Sequence, residues 1–213
     1  MAAHWAIFQK KIIENDKINF LKTHNTLCTI NGHDFANNLN SLGAIYIVRD
    51  TRDMVISYSH HLNLSYEETF LKMIDSRTVE KTIDLKDRGL LGTWSNHYNP
   101  WKHFPIKKIL IKYEDLKNDA YLNFRKIINY LNELYALPIE EEGLIKSVKN
   151  VHFNNLEKLE KAGGFNENPN INLNKKFFRK GRVGEWEEVL SANLVKKIEK
   201  EFKNEMIENN YLS

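Results

Sequence analysis

The sequence predicts an α/β fold built on a parallel sheet flanked by helices. Two short apolar runs, AIYIV at 44–48 and ILIK at 109–112, have the β-branched character of strands that are buried on both faces of such a sheet. Charged residues follow each run, and apolar residues at helical spacing come next, at about 54–62 and 120–135. Strand, polar turn and helix in that order make half of a βαβ unit, so the alternation predicts parallel strands.

The remaining elements follow from local patterns. Residues 18–22, INFLK, are expected to form a short strand, and residues 65–73 a helix. The aromatic segment 94–104 contains Pro100, which is expected to break it. Residues 163–176 carry Gly, Asn and Pro with little periodicity, which predicts a mobile loop.

A last helix is predicted at about 191–209. Ser191 is a suitable N-cap, because its hydroxyl can accept a hydrogen bond from an amide of the first turn. The apolar stripe of this helix repeats every fourth residue and predicts a buried face, formed by Leu194, Ile198, Phe202 and Met206.

The composition narrows the class of protein. The chain has 213 residues, 42% of them hydrophobic and 28% charged, which suits one globular domain with a real core. Its net charge of +3 argues against a nucleic-acid partner, because such binders usually carry a strongly basic face. With Cys28 as the one cysteine, no internal disulfide forms, and a cytoplasmic location fits. We find no signal peptide and no run of about 18 uncharged apolar residues, so we expect no membrane partner.

The first segment of chemical interest follows the strand predicted at 44–48. Arg49 stands at the carboxyl end of that strand, where α/β proteins usually bind ligands. The next helix begins near Arg52; its N-terminus favours anions, and a guanidinium holds phosphate with two hydrogen bonds. Ser57 could add a hydroxyl, whereas Arg52 could point to solvent. On spacing alone, a surface Arg49 paired with Asp50 or Asp53, beside a solvated Ser57, is an equally good interpretation.

A second segment, FFRKGRVGEW at 177–186, combines three cations with two glycines. Gly181 and Gly184 allow the backbone to approach a ligand closely. A short run of this kind taken alone is more often a basic surface loop.

Two shorter motifs come at predicted strand ends. In Lys22-Thr23-His24, a neutral histidine could take a proton from a hydroxyl, and the lysine could stabilise an anionic group in transfer. Alone, such a tripeptide is usually a surface feature. Tyr113 opens a Tyr-Glu-Asp sequence after the strand predicted at 109–112. By itself this sequence indicates only a strand end followed by helix-capping acids.

Taken in order over about residues 18–203, these segments resemble the sulfotransferases that use 3′-phosphoadenosine 5′-phosphosulfate (PAPS). The resemblance implies a P-loop nucleoside-kinase-like fold, with residues 1–213 forming a single, partial domain. The implied reaction moves a sulfuryl group from PAPS to a hydroxyl or amine of a small-molecule acceptor, releases adenosine 3′,5′-bisphosphate and requires no metal. His24 would be the catalytic base, and Lys22 would stabilise the transferring group. The family often has a residue and then Pro after Lys-Thr-His, where this chain has Asn25 and Thr26.

The resemblance also assigns the donor-binding residues. Val151-His152-Phe153 roughly matches a Thr-Ser-Phe segment of the family that touches adenine, so only its Phe is carried over. The 3′-phosphate would be bound by Arg49, Ser57, Arg179, Lys180 and Gly181. The adenine would be lined by aromatic side chains, namely Tyr113, Phe153, Phe177 and Phe178.

One motif of the family is missing. The sequence contains neither a phosphate loop of the kind Pro-Lys-Ser-Gly-Thr-Thr-Trp nor Gly-x-x-x-x-Gly-Lys-Ser/Thr. We therefore expect a truncated or degenerate family member that lacks the first strand and phosphate loop and has impaired transfer. Three alternatives remain: a non-catalytic remnant that binds 3′-phosphoadenosine, an ATP-using phosphotransferase, and an interaction fragment that binds no nucleotide.

Overall fold

A computed structural model describes residues 2–13, 17–81, 88–136, 140–163 and 175–213. Most of the loop predicted at 163–176 lies outside these residues. The chain divides into two compact units: unit 1 comprises Met1–Ala44 and Lys72–Lys108, and unit 2 comprises Ile45–Leu71 and Ile109–Ser213. The prediction of a single domain over 1–213 stays a prediction.

Helices and short strands account for most of the described residues. The strands are β1 (Thr29–Ile30), β2 (His33–Asp34), β3 (Gly43–Val48), β4 (Val79–Lys81), β5 (Arg88–Leu90) and β6 (Lys107–Lys112). The helices are α1 (Ala2–Ile13), α2 (Thr51–Leu62), α3 (Tyr66–Met73), α4 (Trp94–His103), α5 (Tyr113–Asn118), α6 (Ala120–Leu134), α7 (Glu141–Asn150), α8 (Phe153–Gly163), α9 (Trp186–Val189), α10 (Ala192–Glu201) and α11 (Lys203–Glu208). None of the helices in the described ranges has both the length and the apolar character that crossing a bilayer requires.

The predicted α/β fold with a parallel sheet is confirmed, and β3 pairs with β6. The expectation that both strands are buried on both faces is wrong. Val48 and Ile111 are 2% and 3% exposed, but Ile47 is 60% and Leu110 40% exposed. Successive side chains of a strand point to opposite faces, so the described residues cover one face of this sheet and leave apolar side chains on the other.

In unit 1 the predicted strand at 18–22 does not form; these residues have no regular structure and are exposed. A strand requires the backbone of a neighbour as hydrogen-bond partner, and in the described residues only β1 with β2 and β4 with β5 make antiparallel pairs in this unit.

The expected break at Pro100 is also wrong, because α4 continues through this residue. Proline has no amide hydrogen to donate to the carbonyl of Asn96, four residues earlier. The Thr26 hydroxyl replaces that donor at 2.6 Å from the Asn96 oxygen. The helix also begins on a capped turn, since Thr93 Oγ1 accepts from the Asn96 amide at 2.9 Å.

In unit 2 the last predicted helix is confirmed as two consecutive helices, α10 and α11, which meet at Phe202. Ser191 caps the first of them by accepting a hydrogen bond of 3.2 Å from the Leu194 amide. α10 packs against α2. The predicted apolar stripe is buried throughout, with exposures of 3%, 0%, 1% and 0% at Leu194, Ile198, Phe202 and Met206.

Candidate functional site

Arg49 lies at the carboxyl end of β3, where its guanidinium meets several groups of unit 2. The guanidinium lies over the Tyr113 ring, 4.4 Å from its centre, and Nη2 donates a 2.9 Å hydrogen bond to the Arg182 carbonyl oxygen. Nη2 is also 3.8 Å from a carboxylate oxygen of Asp53. The side chain is 19% exposed, and its buried Nε has no hydrogen-bond partner among the described residues. Arg49 is therefore not a solvated surface cation, and its Nε–H is a buried donor that no described residue accepts.

Tyr113 is the first residue of α5, at the corresponding end of β6. Burial raises the pKa of its hydroxyl, an effect that the nearby Arg49 charge partly offsets. The next residue, Glu114, accepts a 3.0 Å hydrogen bond from the Asp50 amide and a 2.8 Å bond from the Tyr211 hydroxyl. The ends of both strands are thus joined by one carboxylate.

The segment 177–186, which we call the basic loop, is attached to the first turn of α2 by Asp53. The carboxylate of Asp53 accepts the Gly184 amide at 2.7 Å and the Trp186 amide at 3.0 Å. Asp53 is 1% exposed, so this attachment is shielded from water. It brings the basic loop to the strand end that carries Arg49.

Within the basic loop, Arg179 and Lys180 both pair with Glu185. Arg179 donates from Nη1 to Glu185 Oε1 at 2.9 Å and from Nη2 to Oε2, and the Lys180 ammonium donates to Oε1 at 2.7 Å. Glu185 is 2% exposed. These bonds, with that from Arg179 foremost, lower the pKa of Glu185 to about 2. Sequence reasoning missed Glu185, although an acid inside a run of cations is a visible signal.

The aromatic residues assigned to adenine form one cluster with Gly181. The rings of Phe177 and Phe178 are 5.2 Å apart, and those of Phe178 and Phe153 are 6.3 Å apart. Gly181 has φ +59°, and a Cβ at this position would lie 2.5 Å from the Phe153 ring. The Glu160 carboxylate accepts the amides of Phe177 and Phe178 at 2.5 and 3.0 Å and thereby fixes this end of the basic loop.

Ser57 and Arg52 lie in different settings on α2. Ser57 is exposed on α2, one turn beyond Asp53, and within the described ranges its hydroxyl makes no hydrogen bond to Arg49 or to the basic loop. The expectation that Arg52 points to solvent is wrong. Its side chain is 8% exposed, pairs with Asp50 and Glu199 at 2.6 and 2.7 Å, and lies 3.8 Å over the Trp186 ring. Arg52 is a structural residue of unit 2.

Lys22 and His24 belong to unit 1, where both are exposed in a segment without regular structure. Backbone contacts hold this segment: Nε2 of His97 lies 3.3 Å from the His24 carbonyl oxygen, and the Trp101 indole donates to the Asn25 carbonyl at 3.0 Å. Burial lowers the pKa of His97.

Asn25 and Thr26, the latter in place of the family's proline, anchor the same segment. The Asn25 side-chain oxygen accepts the Leu90 amide at 2.7 Å, and the Thr26 amide donates to the Leu90 carbonyl at 2.7 Å. The Thr26 hydroxyl adds its hydrogen bond to the Asn96 carbonyl of α4. Together these bonds fix the backbone immediately after His24, although this chain has no proline there.

The chain is similar to curated sulfotransferases and to solved sulfotransferase structures. Cytosolic sulfotransferase 12 of Arabidopsis thaliana is 30% identical over 165 residues, which are 73% of this chain and 47% of the relative. Flavonol 3-sulfotransferase of Flaveria bidentis is 26% identical over 166 residues, 73% of this chain and 52% of the relative. The crystal structure of retinol dehydratase in a complex with retinol and PAP superposes with a TM-score of 0.60 at 23% identity, over 90% of this chain and 54% of that one.

A mouse sulfotransferase complexed with PAP gives a TM-score of 0.56 at 20% identity, over 76% of this chain and 57% of that one. These structural likenesses show the fold. The chain spans about half the length of the curated relatives it matches. A family model described as the sulfotransferase domain matches residues 6–210. Because this match covers nearly the whole sequence, the chain belongs to the sulfotransferase domain family.

Proposed function

We propose that unit 2 binds the 3′-phosphoadenosine half of PAPS. The observation that carries the proposal is the meeting of Arg49 with the basic loop: its guanidinium contacts the Arg182 carbonyl and the Tyr113 ring, and its Nε is buried with no hydrogen-bond partner among the residues that the structure describes. A partly exposed guanidinium beside a cationic loop offers charge-assisted N–H donors that a phosphate oxygen can accept.

The residues of unit 2 suit the two parts of that ligand. Arg49, Arg179 and Lys180 supply charge-assisted donors for the 3′-phosphate, and Ser57 adds a hydroxyl from α2. Gly181 has a positive φ, and because it lacks a side chain its backbone can approach a ligand closely. The flat faces for the adenine come from the ring cluster and the strand end, namely Phe153, Phe177, Phe178 and Tyr113.

We further propose that the parent activity is transfer of a sulfuryl group from PAPS to a hydroxyl or amine of a small-molecule acceptor. PAPS supplies the activated sulfuryl group, and adenosine 3′,5′-bisphosphate is the product. His24 removes the acceptor proton and Lys22 stabilises charge on the transferring group. Both side chains are exposed and therefore accessible to an acceptor, while their backbone is held by α4 and β5.

The phosphosulfate end of the donor lacks its cradle in this sequence, which has no phosphate loop of either kind. Removing a single preorganised donor to a developing anion typically lowers a rate by about 10²–10³. We therefore propose that this chain alone transfers sulfuryl groups slowly or not at all. The same observation favours a second candidate function, a non-catalytic module that binds 3′-phosphoadenosine.

Calorimetry tests the binding proposal. The chain should bind adenosine 3′,5′-bisphosphate at least about tenfold more tightly than 5′-AMP, because the 3′-phosphate adds charge-assisted hydrogen bonds. Equal affinities, or no heat with either nucleotide, would contradict the assignment.

A chimera tests the transfer proposal. The strand, phosphate loop and helix of a related sulfotransferase are fused before this chain, and transfer from labelled PAPS is measured against a panel of hydroxyl and amine acceptors. We expect activity from the chimera and little from the chain alone. His24→Ala in the chimera should lower the rate by about 10²–10⁴. Strong transfer by the unmodified chain would refute the need for the loop, and a chimera indifferent to His24→Ala would refute the role of His24. A chimera that binds the bisphosphate but stays inactive would favour the binding module.

A further inference from the structure

We infer that Glu185 is a positioning residue that holds Arg179 and Lys180 in the orientation required by a 3′-phosphate. The inference rests on the proposed donor site and adds to it a residue that sequence reasoning had left out. Glu185 does not touch the ligand; it acts through the two cations. The argument depends on how firmly its own carboxylate is held, and on which donors the two cations retain.

The backbone on either side of Glu185 is fixed. The amides of its neighbours, Gly184 and Trp186, both donate to the buried Asp53 carboxylate, at 2.7 and 3.0 Å. Glu185 therefore extends from a short stretch of chain that is tied to the first turn of α2. Its side chain is 3% exposed. A carboxylate so placed is a stationary anchor.

The cations that converge on this anchor are more exposed than it is. The Arg179 side chain is 27% exposed and the Lys180 side chain 47% exposed. Arg179 uses one hydrogen of Nη1 and one of Nη2 on Glu185, and Lys180 uses one of its three. Each cation keeps further N–H donors. The carboxylate is thus the more buried partner, and the two partly exposed cations have further donors that no described residue accepts.

The opposite interpretation makes Glu185 a competitor that a phosphate must displace. Displacement would require a buried carboxylate to leave both cations while its backbone stays attached to Asp53. Removing it would also release two long side chains, and their rotamer freedom would have to be lost again on binding. Anchoring thus favours phosphate binding, whereas competition would oppose it.

The test compares two acids of the same segment. Glu185→Gln keeps the shape and removes the charge. Glu188→Gln is the matched control, because Glu188 is 60% exposed and pairs only with Arg182 among the described residues. For each protein, calorimetry gives the ratio of the dissociation constants for 5′-AMP and adenosine 3′,5′-bisphosphate. We expect Glu185→Gln to lower this ratio about tenfold, with 5′-AMP binding nearly unchanged, and Glu188→Gln to preserve it.

Each outcome decides something. A wild-type ratio near one overturns the proposed donor site and this inference with it. A normal wild-type ratio that Glu185→Gln leaves unchanged or raises overturns the inference alone. If Glu185→Gln weakens the binding of both nucleotides equally and lowers the melting temperature, Glu185 has only a structural role, and the inference is overturned. If Glu185→Gln does not fold, Glu185→Asp, which keeps the charge but shortens the reach, must lower the ratio at an unchanged melting temperature.

Discussion

The Thr26 hydroxyl donates a 2.6 Å hydrogen bond to the Asn96 carbonyl oxygen, the acceptor that Pro100 leaves without a helical partner. This bond lets α4 run through a proline and holds the chain two residues after His24. The stability of the helix and the position of the candidate base therefore depend on the same contact.

We predict that Thr26 and Pro100 are energetically coupled. Thr26→Val removes the donor of this partly buried hydrogen bond and should cost about 0.5–1.5 kcal/mol of unfolding free energy. In a Pro100→Ala background the Ala amide supplies the missing helical bond, so the same substitution should cost clearly less. Urea unfolding of the four proteins in a double-mutant cycle measures the difference. Strictly additive costs would show that the hydroxyl does not replace the proline's missing amide.

Arg49→Ala should weaken binding of adenosine 3′,5′-bisphosphate by about 10- to 100-fold, the value of one charge-assisted hydrogen bond of 1.5–3 kcal/mol. The matched control is Arg182→Ala. Its carbonyl, which Arg49 contacts, is retained, and its side chain pairs at the surface with Glu188. The control should change affinity less than about threefold. Calorimetry measures the affinity of both variants for the bisphosphate. A larger loss of affinity in Arg182→Ala than in Arg49→Ala would show that the phosphate does not bind at Arg49.

Arg52→Ala should act on stability. It leaves the buried Asp50 carboxylate unpaired and removes the cation over Trp186, so we expect a loss of about 3 kcal/mol or more. Arg77, whose side chain is 88% exposed beside Asp75, is the control, and Arg77→Ala should leave the denaturation midpoint almost unchanged. Denaturant titration separates the two. Similar midpoints for both variants would mean that the buried pair contributes little.

Gly181→Ala should disturb the basic loop more than Gly184→Ala. Both residues have positive φ, so an added Cβ costs each about 1–2 kcal/mol. At Gly181 the Cβ also meets the Phe153 ring, whereas at Gly184 none of the described atoms lies within 4 Å of it. Adding Phe153→Ala should reduce the excess cost at Gly181. Thermal unfolding of the single and double variants checks this, and equal losses at the two glycines would contradict it.

Local sequence patterns were sufficient for much of the fold and part of the site. The strand, turn and helix around Arg49 follow from short-range spacing, as does the stripe on α10 and α11. The burial of Arg52 cannot be predicted from short-range spacing, because its partner Glu199 is 147 residues away in the sequence and the Tyr211 carbonyl is 159 residues away. Glu185 stands at a position that the recognised motif, Arg-Lys-Gly-x-x-Gly-x-Trp, leaves unspecified, so its role is visible only once Arg179 and Lys180 are seen to converge on it.

Two expectations failed for a common physical reason. The strand at 18–22 has suitable residues, but a strand forms only where another backbone offers donors and acceptors. The break at Pro100 follows a sound local rule, which a hydroxyl from 70 residues earlier satisfies by other means. Both outcomes depend on whether a distant partner is in place, which a window of neighbouring residues does not reveal.

The attachment of the basic loop to Asp53 has a consequence for the order of folding. Its hydrogen bonds close segments of 131 and 133 residues, and closing a chain that long is entropically costly before other contacts have formed. We therefore expect the basic loop to adopt its structure late, after α2 is in place. Substitutions from Gly184 to Trp186 should then accelerate unfolding and leave the refolding rate almost unchanged. During synthesis, the basic loop would adopt this structure only after its own residues and those of α2 have left the ribosome.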